Sequence, residues 1–513
     1  MPTVTVLGPL GEAVARATSE AMAAVPRLWE RDHTLWQQDP TEVADRLGWL
    51  EAPERAARLV PDFEQMTTGL AADGVTDALL VGMGGSSLYP RVLAEMIGSA
   101  PGRPGLTVLD STDPAAVLAV ERELHWETTA LLAASKSGTT IETVCHLDRF
   151  LERLTDAHGS SGAGRHVVPI TDPGSALDER ASVAGFRAVA HGDPDVGGRF
   201  SALTAFGLLP AVMIGLDVEA HLASAREQFE AARSTDPEVN GPAVLGATLA
   251  AAARTGRDKL TLVLPEEAST FGLWIEQLVA ESTGKQGVGI LPVLGEEPDP
   301  ARLGDDRLVV LVGGHPAGRA IAAAGHPVVE LPWTGPEQLA GEVVRWEVAT
   351  AIAGALIGIN PFDQPDVAAA KQATQQMLET GEDLPPTNDP EPLLDDLDAR
   401  GYVALLGFVT PGGQGEQRLR EAAERLRQRL TVPVTVGIGP RYLHSTGQLH
   451  KGGPSGGVFV VAVGDDLEDA PIPGRPYSFS RLKRAQAAGD ITALRAAGRP
   501  VAHVSVEELA SLG

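Results

Sequence analysis

A single cysteine, Cys145, in 513 residues rules out an internal disulfide and leaves no cysteine-based metal site. Long apolar runs are missing too. None reaches the roughly 18 residues a membrane helix needs, and the longest, from Ala202 to Leu216, is broken by Pro210. The amino terminus, MPTVTVLGPLGE, carries no basic region, so a secretory signal is not expected and a cytoplasmic location is. Positive charge is in deficit. The net charge of −27 disfavours nucleic acid and anionic membrane as partners. It allows a small anionic substrate, provided the site is made locally positive by backbone N–H groups, helix ends and a few basic side chains. Lysine is the scarcest source of such charge, with six in the chain, and four of the six fall in the motif-bearing segments below.

What is present reads as a large α/β protein. At this length two or three domains are expected. Residues 1–70 have helical periodicity through Val14, Met22 and Leu28, and again near Leu47 and Leu59. Apolar runs at 77–81, 106–109, 130–134, 166–170 and 186–190 suit buried parallel strands separated by helices, one of them running Ile141, Val144, Leu147, Leu151, Leu154. After a helical stretch at about 200–256, a second set follows at 259–265, 289–294, 307–313 and 327–333. A Pro- and Asp-rich opening, DLPPTNDPEPLLDD, then leads to GYVALLGFV, a charged helix near 415–430, VPVTVGI and GGVFVVAV. Such alternation predicts doubly wound parallel sheets flanked by helices. The expected organisation is a helical segment at 1–70, α/β units at 71–216 and 217–384, and a small C-terminal α/β unit at 385–513.

Several segments carry chemistry. GMGGSS, Gly82 to Ser87, joins a strand to a helix with residues small enough to let the backbone approach an anion. Gly82, Gly84 and Ser87, with Asp110 ending the next strand, also come near a dinucleotide fingerprint, but the third glycine is missing. SKSGTTIET, Ser135 to Thr143, lies at a second strand-to-helix junction. Its four hydroxyls, on Ser135, Ser137, Thr139 and Thr140, exceed what capping one helix requires and suit the terminal oxygens of a phosphomonoester. In DVGGRFS, Arg199 is expected at a helix N-terminus, a locally unfavourable place for a cation, where a guanidinium could stabilise a developing oxyanion. FGLWIEQLVAESTGK should be a helix stopped by Gly284. Glu281 then falls in its last turn, where the negative helix end should raise its pKa and improve it as a base. In NPFDQPDVAAAK, Lys371 follows Gln364 by seven residues, close to two helical turns. In YLHSTGQLHKGG, His444 is a candidate acid or base.

Together these segments resemble the phosphoglucose isomerase family, with GMGGSS, SKSGTTIET, DVGGRFSALTAFGL, AESTGK and FDQPDVAAAK in the family's order from Gly82 to Lys371. The resemblance implies two sugar isomerase subdomains and interconversion of glucose 6-phosphate and fructose 6-phosphate, a step of glycolysis and gluconeogenesis, without a cofactor. It implies that Ser86, Ser135, Lys136, Ser137, Thr140 and Thr143 surround the phosphate and nearby hydroxyls, with Gly85 and Gly198 lining the same loops. Glu281 would move a proton between C2 and C1, and Arg199 would stabilise the cis-enediolate. Lys371 and His444 would assist ring opening, with Gln364 and Glu142 as supporting contacts. The family also implies a homodimer.

Two features depart from the family pattern. The histidine segment ordinarily precedes FDQ…K, whereas His444 follows Lys371, an order resembling the isomerase portion of transaldolase–isomerase fusions. Asp366 stands where the family usually has a small residue, and the sequence offers no reason for it. Three alternatives compete with the simple isomerase: an enzyme that also accepts mannose 6-phosphate, a sugar-phosphate-binding regulator without turnover, and a dinucleotide oxidoreductase. The regulator would have no use for Glu281, Arg199 and Lys371 together. The oxidoreductase would leave SKSGTT without a role.

Overall fold

The computed structural model describes residues 4–513. The chain forms two compact units, each assembled from separated stretches. The smaller comprises residues 45–223 and 466–483, and the larger comprises 1–44, 224–465 and 484–513.

The smaller unit is built on one parallel sheet. Its strands run in the order Gly105–Leu109, Asp77–Gly82, Thr129–Ala134, Val167–Thr171, Ala190–His191. The two central strands bury nearly every side chain, as expected of a sheet covered on both faces. Their register sets Gly82 beside Ala134, so the loops that follow these strands leave the same sheet edge side by side. The expected strand at 186–190 shrinks to Ala190–His191. Phe186 and Arg187 instead turn back to the Ala181, Gly164 and Val167 carbonyls. The returning 466–483 stretch is fixed by Lys483, which is buried between Asp113 and Asp466.

The larger unit holds two sheets. In the first, Val328–Leu331, Arg307–Val312, Lys259–Val263 and Leu291–Val293 are parallel, and Thr5–Leu7 joins the edge antiparallel. That edge strand was not expected in a segment read as wholly helical; a three-residue strand is too short to impose a period of two. The helical reading holds for Gly11–Trp29 in this unit and Ala52–Ala72 in the smaller one, but not near Leu47, which forms an isolated antiparallel bridge to Val196 amid turns and short 3-10 pieces. The second sheet is fully parallel, in the order Val434–Ile438, Tyr402–Phe408, Gly457–Val463, Val501–Ser505. The helix Gln414–Arg429 covers one face through Leu419, Ala422, Ala423 and Leu426. On the other face Ala487, Ile491 and Leu494 share a core with Tyr442, Leu449, Ala280, Leu291 and Val293. Ala280 immediately precedes Glu281, so the C-terminal sheet packs directly against the end of that helix. The fold is α/β with three sheets, as the alternation of apolar runs predicts. Among the described residues no helix is long and apolar enough to cross a membrane.

Candidate functional site

The hydroxyl-rich loop belongs to the smaller unit. Thr140 is the N-cap residue of Ile141–His158, yet its side chain caps nothing. Its hydroxyl lies 2.8 Å from that of Ser135, while the Ser137 and Thr139 hydroxyls lie 2.9 Å apart. An uncapped first turn keeps its positive end available to an anion. Ser135 is buried, Thr140 half-buried, and Ser137 and Thr139 exposed. Gly138 has φ +70°, and a Cβ there would meet the Leu177 nitrogen at 2.5 Å, so both conformation and space demand glycine. Lys136 ion-pairs with Asp172 and donates to the Asp193 carbonyl at 3.0 Å, so its charge is largely committed to shaping the loop. Glu142 and Thr143 are buried in the helix's first turn, and Thr143 donates to the Ala134 carbonyl at 3.4 Å.

Beside this loop stand the other two motifs of the same unit. Gly84–Ser86 forms a 3-10 turn, as does Gly198–Phe200. They meet so closely that a Cβ on Gly85 would lie 1.9 Å from the Gly198 carbonyl oxygen. Arg199 is 5% exposed. It precedes the helix Ala205–Met213, which Thr204 caps, by a full turn of chain. Contrary to the expectation from the sequence, Arg199 therefore does not lie at that helix's N-terminus; its position comes from the packing of the two 3-10 turns. Phe200 behind it packs on Trp49 at 5.1 Å between rings. The segment before it is held by Arg55, which donates to both Asp195 carboxylate oxygens at 2.6 and 2.9 Å. Asp110, the ribose candidate of the dinucleotide reading, is 1% exposed and paired with Arg91 at 2.9 Å.

The larger unit carries the proton-transfer candidates. The helix Ser269–Thr283 ends at Gly284, as expected, and Glu281 lies buried in its last turn. One helical turn earlier, the Gln277 amide nitrogen donates to the Glu281 carboxylate at 3.0 Å and to the His444 carbonyl at 2.8 Å. The Glu281 carboxylate and the His444 backbone are thus brought to one amide within a single chain, 163 positions apart in sequence. Both contacts require a donor, which fixes the amide orientation and leaves Gln277 Oε1 a buried acceptor without a protein donor. The sequence reading missed Gln277; its only signal was the four-residue spacing from Glu281, which puts both on one helical face.

The segment containing Gln364 and Lys371 is tied to the same helix end. Lys285, fully buried, donates to the Asp363 carbonyl at 2.7 Å and pairs with its carboxylate at 2.6 Å. Gln364 and Lys371 are exposed, the latter on the helix Val367–Thr380. Around His444, Tyr442 donates to the buried Asp490 at 2.7 Å, and Lys451 pairs with the same carboxylate at 2.6 Å. Burial and the Asp490 charge push the Tyr442 hydroxyl well above its ordinary pKa, so it remains a donor. His450 is held down at about 3 by burial, with Lys451 and Arg499 adding to the effect; it is neutral and structural.

With this geometry in place, known proteins resolve the kinship. The phosphoglucose isomerase family pattern matches residues 57–290. A glucose-6-phosphate isomerase of Rubrobacter xylanophilus is 31% identical, covering 68% of this chain and 91% of the relative. The chain belongs to the phosphoglucose isomerase family. A glucose-6-phosphate isomerase of Thermus thermophilus is likewise 31% identical, over 66% of this chain and 91% of its own. Among solved structures, a hypothetical protein from Thermus thermophilus superposes with TM-score 0.62 at 27% identity, over 73% of this chain and 99% of its own. A glucose-6-phosphate isomerase from Chlamydia trachomatis gives TM-score 0.56 at 18% identity, over 73% and 86%, and so attests the phosphoglucose isomerase fold alone.

Proposed function

We propose that the chain interconverts glucose 6-phosphate and fructose 6-phosphate through a cis-enediolate. The observation that carries this reading is Gln277, whose amide joins the Glu281 carboxylate to the His444 backbone. A sugar-binding regulator has no need of a buried carboxylate steered in this way. The uncapped, hydroxyl-lined turn at Ser135–Thr140 takes the phosphate, with Ser86 and Thr143 on nearby sugar oxygens. His444 and Lys371 assist ring opening, supported by Gln364 and Glu142.

In the open-chain aldose, Glu281 removes the proton from C2, and that bonding pair becomes the C1=C2 double bond. The C1 carbonyl pair moves onto O1, whose negative charge Arg199 stabilises. Glu281 then returns the proton to C1 while the O2 proton passes to O1, leaving the ketone at C2. Atoms and charge balance without an external oxidant or reductant.

The test is a coupled assay of fructose 6-phosphate turnover, repeated with mannose 6-phosphate to decide substrate breadth. Glu281→Gln should lower kcat by about 10²–10⁴-fold and keep substrate binding. Wild-type turnover by that variant would remove Glu281 as the base.

A further inference from the structure

Asp366 is the departure from the family pattern that the sequence left without a reason, and its surroundings supply one. It occupies the N-cap position of Val367–Thr380, where an aspartate ordinarily accepts hydrogen bonds from its own helix. Here its side chain caps nothing. Instead it accepts from the Gln448 amide nitrogen at 2.6 Å, while its backbone N–H donates to the Gln448 amide oxygen at 3.0 Å. The same amide nitrogen donates to the Gly284 carbonyl at 3.0 Å, three residues beyond Glu281. Gln448 is fully buried. One amide therefore engages the helix that carries Glu281 and the segment that carries Gln364 and Lys371. It does so from Gly447–Gly452, the short helix that follows His444.

The space for this arrangement is reserved. A Cβ on Gly452 would lie 2.2 Å from the Asp366 carboxylate, and one on Gly284 would lie 2.3 Å from the Leu449 side chain. The Gly287 N–H also donates to the Gly452 carbonyl at 2.9 Å. Forgoing an N-cap hydrogen bond weakens the helix start. The carboxylate that would cap Val367–Thr380 is committed to Gln448.

We propose that Asp366 and Gln448 form a clamp that fixes the Asn360–Lys371 segment against the end of the Glu281 helix. Gln364 and Lys371 are thereby held in register with the base. Asp366 is a positioning residue, acting through Gln448. The proposal rests on the isomerase reading for its kinetic consequence, though not for the clamp itself.

The test compares Asp366→Gly with Asp366→Asn in the full chain. In Asp366→Gly, kcat for fructose 6-phosphate should fall about 10-fold or more with KM changed less than about 3-fold, since displacement of a catalytic group acts on the chemical step. Asp366→Asn retains a carbonyl acceptor for Gln448 and should recover kcat to within about 3-fold of wild type. Hydrogen exchange of peptides covering 360–371 and 447–452 should accelerate in the glycine variant and stay near wild type in the asparagine variant. Unchanged exchange in Asp366→Gly would overturn the clamp. Accelerated exchange with wild-type kcat would overturn its positioning role. A wild-type chain that turns over neither hexose 6-phosphate would sink the isomerase reading, while the exchange data would still decide the clamp.

Discussion

Substituting Gly85 by alanine tests whether Arg199 owes its position to the packing of two 3-10 turns. The added Cβ would sit 1.9 Å from the Gly198 carbonyl oxygen, 2.3 Å from its carbon and 3.0 Å from the Arg199 nitrogen. The obstacle is backbone, not the end of a flexible side chain, so the turns must separate by about 1 Å to restore a normal contact. Overpacking of this kind costs about 1–3 kcal/mol of stability, which a chain of this size can survive. On the proposed role of Arg199 the kinetic effect should be larger, since a misplacement of about 1 Å in a positioned group costs on the order of 10²-fold. Gly197→Ala is the control. That position has extended backbone, φ −65° and ψ 151°, and nothing within 4 Å of its Cβ. A coupled assay with fructose 6-phosphate, run beside thermal unfolding, should show kcat/KM lowered about 10²-fold in Gly85→Ala and near wild type in Gly197→Ala. Wild-type kcat/KM in Gly85→Ala at unchanged Tm would refute the packing argument for Arg199.

Two further outcomes concern stability. His146 and His221 are held near pKa 4 by burial and His450 near 3. Depressed folded-state values mean that stability is present above the unfolded pKa of 6.5 and lost as pH falls through the folded values. Each histidine contributes up to ~1.4 kcal/mol per pH unit in that window. Urea unfolding at pH values of about 7, 5.5 and 4.5 should reveal the decline, and His450→Gln should make it shallower. Lys483→Met would leave Asp113 and Asp466 facing each other in a buried place without the cation. Unfolding in denaturant should show a loss of about 3–5 kcal/mol, the usual cost of removing one partner from a buried pair.

Sheet cores were legible because they depend on runs of apolar residues, and each central strand here is such a run. Thr129–Ala134 buries all six of its residues, and TALLAA permits little else at a period of two or as a solvent-facing helix. Edge elements were not legible, for an equally physical reason. Thr5–Leu7 is a strand because Val328–Leu331 offers it an unpaired edge, a cause roughly 320 residues away that local propensity cannot register. The return of 466–483 to the smaller unit has a similar origin. Lys483 looks like one more charge in a helical run until Asp113 and Asp466 close around it.

Site residues followed the same division. Motifs whose geometry is local, such as the hydroxyl-lined turn at Ser135–Thr140 before a helix, could be read where they stood. Glu281 could be placed at a helix end from Gly284 alone. What makes Glu281 more than a helix glutamate is supplied by distant chain: Gln277 reaches His444, Lys285 reaches Asp363, and Gln448 reaches both Gly284 and Asp366. These contacts explain how a histidine segment displaced to the far side of Lys371 still arrives beside Glu281. The C-terminal sheet carries it there, packing Tyr442 and Leu449 into the core that holds Ala280. A change in chain order then costs the site little, provided the displaced segment brings its own anchors. Gln448 is one such anchor and Asp366 receives it, because a small residue at 366 would leave the buried Gln448 amide short of an acceptor.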